Sequence, residues 1–170
     1  MNLFYLDRDP VIAARYHYDK HKVKMVLEAA QMLCTAHHVL GEQFEYDTSY
    51  VPYKKAHVNH PSSIWVRSNA EQYMWAYHYM MALGKEYTKR YNKIHKTIDR
   101  CRDVLYTLPK YIAVKNGFSE PPQCMPDEYK VEGDSVAAYW NYYEQDKYRI
   151  ANKNEQKITR PFVGNEYICS

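Results

Sequence analysis

Seven polar residues spaced three and four apart, His17, His21, Lys24, Glu28, Gln31, Thr35 and His38, are the part of the sequence best equipped for chemistry. On a helix this spacing puts neighbours on one face, so donors, acceptors and titratable groups form a continuous stripe. Glu28 lies between Lys24 and Gln31. A carboxylate so placed can orient a sugar hydroxyl or act as an acid/base group, and it can equally be half of an ordinary helix ion pair with Lys24. Val23, Leu27, Ala30, Leu33 and Cys34 occupy the other side. The expected helix is therefore anchored by that apolar side and presents the stripe to a ligand or to solvent.

Two further clusters carry similar potential. Asn59, His60 and Pro61 precede Trp65 and Arg67. A helix begun by proline leaves backbone N–H groups free, and with an arginine nearby these can form an anion site or simply a helix start beside a stacked Trp. The run Tyr87, Arg90, Tyr91, Lys93, His95, Lys96 alternates cations with aromatics. Such a mixture can grip phosphate while stacking on a base, or serve as a basic helix C-terminus that complements the macrodipole. His17 and His21 are four residues apart and could chelate, yet no HExxH or CxxC pattern completes a metal site, and none is expected. No phosphate-cradling glycine loop, dinucleotide fingerprint or Ser/His/Asp triad is present, so no cofactor is expected either.

The elements that must position these residues read as helices. Asp9 and Pro10 are an N-cap and first helical residue for a short helix to about Tyr16. Asp19 is expected to cap a long helix ending near Leu40, where Gly41 can take the left-handed conformation. Residues 42–58 lack a sustained period and read as loop. Pro61 starts another helix. Ser68 with Glu71 forms a capping-box pattern for the one after it, which carries Tyr73, Trp75, Ala76, Tyr79, Met80, Leu83 and Tyr87 at helical spacing. Ile94, Ile98, Cys101 and Leu105 support a helix from about Lys93 to Leu108, stopped by Pro109. The proline-rich stretch 110–133 reads as an ordered wrapping loop, Asp134 as the cap of a last helix, and residues 152–170 as a mobile or wrapping tail. The fold expected is mainly α: one compact helical domain, residues 1–170, with long ordered loops.

Composition agrees with one domain. The 170 residues are 46% hydrophobic and 25% charged, enough for a single core. A formal charge of +3 is too modest for a strongly cationic nucleic-acid coat. Nineteen tyrosines are unusual and suit both wet cores and stacking surfaces. Cys34, Cys101, Cys124 and Cys169 lack paired spacing, which points to reduced thiols. With no membrane-length apolar run and no leader pattern, the expectation is a cytoplasmic protein without a membrane partner, and a homo-oligomer stays open.

Taken together, Asp19-Lys20-His21, Lys24, Glu28 and Gln31, then Asn59-His60-Pro61, Trp65 and Arg67, resemble the pyrimidine-dimer DNA glycosylase (endonuclease V) family, and the chain looks like an uncharacterised phage branch of it. The match covers mainly Asp19 to Leu40 and Asn59 to about Leu83; its sharpest element is Asp-x-His with a glutamate nine residues after the Asp. The resemblance implies a compact helical protein that attacks an N-glycosidic bond with its N-terminal α-amine, assisted by a glutamate matching Glu28. In the family the amine belongs to a threonine exposed by removal of the initiator methionine, whereas this chain begins Met1-Asn2.

The expectation that follows is a phage-type protein, in the host cytoplasm, that binds and sequesters a small nucleotide-like ligand such as a host defence signal. Lys24, Arg67, Arg90 and Lys93 would meet phosphates. Glu28, Gln31 and Asn59 would read sugar or base groups, His21 and His60 would add donors, and Trp65 and Tyr73 would stack. The alternative is a DNA N-glycosylase/lyase acting on damaged or modified bases, with Glu28 as its catalytic residue.

Overall fold

The computed structural model describes residues 1–115 and 117–162, and among them the regular elements are all helical. Helix α1 spans Pro10–Arg15, and Asp9 caps it by accepting from the N–H groups of Val11 at 2.8 Å and Ile12 at 3.4 Å. Helix α2 is Asp19–Phe44, α3 Pro61–Ser68, α4 Ala70–Tyr91, α5 Lys96–Leu105 and α6 Ser135–Gln145. Short 3-10 turns at Asp127–Tyr129 and Lys147–Ile150 flank α6.

Several helix ends differ from expectation, each for a local reason. Helix α2 does not stop at Gly41 but continues to Phe44, and Glu45 adopts the left-handed conformation at φ 55°. Gly41 is needed for clearance: a Cβ there would lie 2.4 Å from Thr48 Cγ2, where the following loop crosses the helix. Asp19 lies in the first turn of α2, after the cap residue Tyr18, and pairs with Arg90. Asn69, one residue later than Ser68, caps α4 by accepting from Gln72 N–H at 2.9 Å, while the Ser68 hydroxyl donates back to Ile64 O at 2.6 Å. Helix α5 starts three residues later than expected because the ring of His95 accepts from Thr97 N–H and acts as the cap.

Helix α2 is the centre of the molecule, packed on α3, α4 and α5, with α1 lying on α4. Its two-sided environment corrects the expected orientation only in part. Ala30, Leu33 and Cys34 of the expected anchoring side are buried, but Val23 and Leu27 are 39% and 38% exposed, and within the stripe His21 and Thr35 are buried whereas Lys24 is exposed. Burial is tolerated because the stripe is satisfied. Thr35 Oγ1 donates to Ala56 O and accepts from Ala56 N–H, and His38 bridges Thr48 Oγ1 and Tyr53 O. His17 precedes α2 and is also buried.

The core uses tyrosine as both filler and tether. Tyr18, Tyr73, Tyr79, Tyr139 and Tyr143 are fully buried. Their hydroxyls meet Ile158 N–H, Leu105 O, His17, Pro122 O and Tyr18 N–H respectively. Residues 1–8 are threaded through this core: Leu3, Tyr5 and Leu6 are buried, and the indole N–H groups of Trp140 and Trp75 donate to Leu6 O and Arg8 O.

Among its described residues, the long segment between Pro109 and Asp134 wraps the helices without forming one of its own beyond the 3-10 turn. The beginning of the expected tail also lies on the body. Glu155 accepts from Asp19 N–H at 2.8 Å, capping the start of α2. Residues 163–170 of that tail, with Cys169, lie outside the described residues. Cys34, Cys101 and Cys124 are free thiols. No helix of the described residues is long and apolar enough to cross a membrane.

Candidate functional site

The first residues of the chain and the second and third turns of α2 meet around Glu28. Its Oε2 accepts from Asn2 N–H at 3.1 Å and lies 3.7 Å from the α-amine of Met1. Oε1 faces Lys24 Nζ at 3.4 Å, the i,i+4 relation expected from the helix. The expected ion pair with Lys24 is thus present, in a carboxylate that is 12% exposed, accepts from Asn2 N–H and lies beside the Met1 amine.

Asn2 fixes this geometry. Its Oδ1 accepts from Leu3 N–H at 2.8 Å and its Nδ2 donates to Cys124 O at 2.9 Å, tying the first residues to the wrapping loop. Phe4 follows at φ 43°, a conformation that bulky residues rarely adopt and that the surrounding packing must hold. That turn lays its ring on His21, centroids 4.3 Å apart and planes 23° apart. The result is a predominantly polar cavity of about 270 Å³ whose wall includes Met1, His21, Lys24, Glu28 and Lys147. Lys147 reaches it across the face of Tyr142, with Nζ 4.6 Å from the ring centroid.

His21 enters this cavity as a neutral group. Tyr143 accepts from Tyr18 N–H at 2.9 Å, and among the described residues His21 Nδ1 at 3.0 Å is the partner left for the buried phenol's own proton, which assigns the ring's hydrogen to Nε2. Burial first, then the charge of His17, Lys147 and Lys24, pushes its pKa down to about 2. Beneath it, His17 donates from Nδ1 to Ala13 O at 2.7 Å and accepts from the Tyr79 hydroxyl at 2.6 Å. Burial takes His17 down to about 3. Both nitrogens of His17 are thereby used, and no group of three metal-ligating side chains occurs among the described residues.

Of the residues singled out in the sequence, the cavity wall contains His21, Lys24 and Glu28. His60 is close enough to feel the terminal amine and Glu28, and burial is the main reason its pKa falls. Its ring nitrogen also caps α3, accepting from Ser62 N–H at 3.1 Å. The others lie elsewhere. Gln31 is half-buried further along α2, and Asn59 is exposed. Trp65 is buried with its indole N–H on Ser119 O, Arg67 donates to Val58 O at 2.7 Å, and Tyr73 is a core residue. Arg90 is held by Asp19 at 2.8 Å and Lys93 is exposed. The cavity is completed by Met25 of α2, by Met1, Asn2 and Phe4, by Cys124 of the wrapping loop, and by Tyr142 and Lys147 in and after α6. For Met1, Asn2 and Phe4 the apolar run Leu3 to Leu6 was the visible signal, since so short a run is either frayed or buried.

Chemically, the site offers an amine, a carboxylate, a neutral imidazole and two ammonium groups. Such a set suits nucleophilic attack on an electrophilic carbon with proton shuttling to a leaving group. Comparison of the chain with protein-family models, with curated proteins and with solved structures returns no match.

Proposed function

We propose that this cavity takes one nucleoside unit of a nucleotide or of DNA and cleaves its N-glycosidic bond. The observation that carries the reading is the 3.7 Å approach of the Met1 α-amine to Glu28 inside the cavity. It supports the role that the resemblance to the pyrimidine-dimer glycosylases implies for Glu28. In the proposed reaction Glu28 removes a proton from the amine, and the nitrogen lone pair attacks C1′. The C1′–N bond breaks with its electron pair going to the base, which takes the proton from Glu28. The resulting ammonium returns a proton to Glu28, which passes it to the ring oxygen as the C1′–O bond opens, leaving an iminium on Met1 that water hydrolyses. The neutral N–H of His21 suits an uncharged acceptor such as the sugar ring oxygen.

Borohydride reduction tests this directly. Incubation with oligonucleotides bearing damaged or modified bases, or with free nucleotides, should trap a sugar on Met1, detected as an intact-mass increase that lacks the base. Glu28→Gln should slow formation of the adduct by about 10²–10⁴. No adduct on any substrate would overturn the reading.

A second reading is favoured by Lys24 and Lys147, which suit a phosphate at the same cavity. On that reading a phage-type protein holds and sequesters a small nucleotide-like ligand without cleaving it. The volume of about 270 Å³ suits one sugar or base and is small for a dinucleotide. Calorimetry against mononucleotides and ADP-ribose derivatives, giving binding without an adduct, would favour it.

A further inference from the structure

We propose that a second cavity, between the N-terminal segment and the wrapping loop, binds a nucleobase that presents two adjacent N–H donors beside a carbonyl, the edge offered by guanine. The cavity measures about 830 Å³ and its wall includes Tyr5, Arg8, Trp75, Phe118, Glu120 and Pro121. That volume falls within the range of small-molecule sites, with the usual combination of aromatic walls and few polar groups.

Tyr5 is the decisive residue. It is 0% exposed, with its ring 5.0 Å from that of Trp75. Its hydroxyl has no hydrogen-bond partner among the described residues, unlike those of the other fully buried tyrosines. Tyr5 borders the cavity. Buried phenols ordinarily find a partner, so a ligand acceptor is the missing one. Burial, and after it the Glu120 charge, pushes this phenol up to about 12, so it remains an O–H donor at physiological pH.

Glu120 supplies the complementary acceptor. Oε2 takes Ser135 N–H at 2.9 Å, whereas Oε1 faces Arg8 Nε at 3.6 Å, too far for a hydrogen bond. The carboxylate keeps free lone pairs for two donors. A guanine can give N1–H and the exocyclic N–H to Glu120, accept from Tyr5 at its carbonyl, and stack on Phe118, which is 40% exposed. Arg8, 81% exposed at the rim and paired with Glu120 at 3.6 Å, can turn outward to meet the attached phosphate. Adenine would set a ring-nitrogen lone pair against the carboxylate, a mismatch that costs affinity.

Quenching of tryptophan fluorescence in the full chain by GMP and AMP tests the proposal. GMP should quench saturably and AMP should bind about tenfold more weakly or worse, the cost of one unpaired buried acceptor. Tyr5→Phe and Glu120→Gln should each weaken GMP binding about fivefold or more. Tyr5→Phe breaks no bond within the protein, so it keeps the test valid if Glu120→Gln folds poorly. Absence of saturable quenching, equal affinity for AMP, or wild-type affinity in Tyr5→Phe would overturn it.

Discussion

The Tyr143 hydroxyl donates its single proton to His21 Nδ1 at 3.0 Å while accepting from the backbone of Tyr18. One phenol thus sets the tautomer of the imidazole in the cavity and satisfies a backbone N–H at the start of α2. Because Tyr143 stacks on Tyr18, centroids 5.2 Å apart, the phenol has little freedom to turn away.

Replacing Tyr143 with Phe should therefore cost stability, about 1–3 kcal/mol, because Tyr18 N–H and His21 Nδ1 both lose their partner in the interior. The lower urea midpoint should accompany a mixed Nδ1–H and Nε2–H population for His21 in long-range ¹⁵N spectra. An unchanged midpoint with a single Nε2–H tautomer would contradict the assignment.

Acid should destabilise the protein well before its carboxylates titrate. His17, His21 and His37 are lowered by burial to about 3, 2 and 4, against an ordinary imidazole value of 6.5. Between those values and 6.5 the unfolded chain binds protons that the folded chain refuses. Stability is thus fully present above about pH 6.5 and is lost as pH falls, each histidine contributing a slope of up to about 1.4 kcal/mol per pH unit. Urea midpoints measured at pH 7, 6 and 5 should fall progressively; a flat profile to pH 4 would show that these rings are not buried neutral.

Glu28→Gln should leave the fold nearly intact, because an amide oxygen still accepts from Asn2 N–H. The rate of adduct formation should drop by about 10²–10⁴, the usual contribution of a positioned acid/base group. Single-turnover trapping beside a thermal melt distinguishes the two effects. Parallel loss of both would mark Glu28 as purely structural.

At Gly84, α4 packs directly on Ile98 of α5: a Cβ there would meet Ile98 Cγ1 at 2.4 Å and Cδ1 at 2.7 Å. Gly84→Ala should destabilise by about 1–3 kcal/mol through overpacking, despite alanine's better helix propensity. Ile98→Val, which removes Cδ1, should recover part of that loss in the double variant. A stabilised Gly84→Ala would mean that the helices separate without cost.

What could be read from the sequence was what neighbours along the chain decide. Asp9-Pro10, Pro61 and Asp134 start helices where expected because a cap and its N–H partners lie within three residues. His21, Lys24 and Glu28 share a wall because steps of three and four are a property of the helix alone. Gly41 was opaque, since its role depends on where Thr48 crosses the helix. So was the orientation of α2, because a central helix buries polar residues once other segments satisfy them. The candidate site itself was a tertiary decision. Asn2 meets Glu28 across 26 positions and Cys124 across 122, and no local periodicity records such contacts. Burial of Leu3, Tyr5 and Leu6 draws the chain's beginning into the core, and that long-range packing brings an amine to the carboxylate that the helix had already positioned.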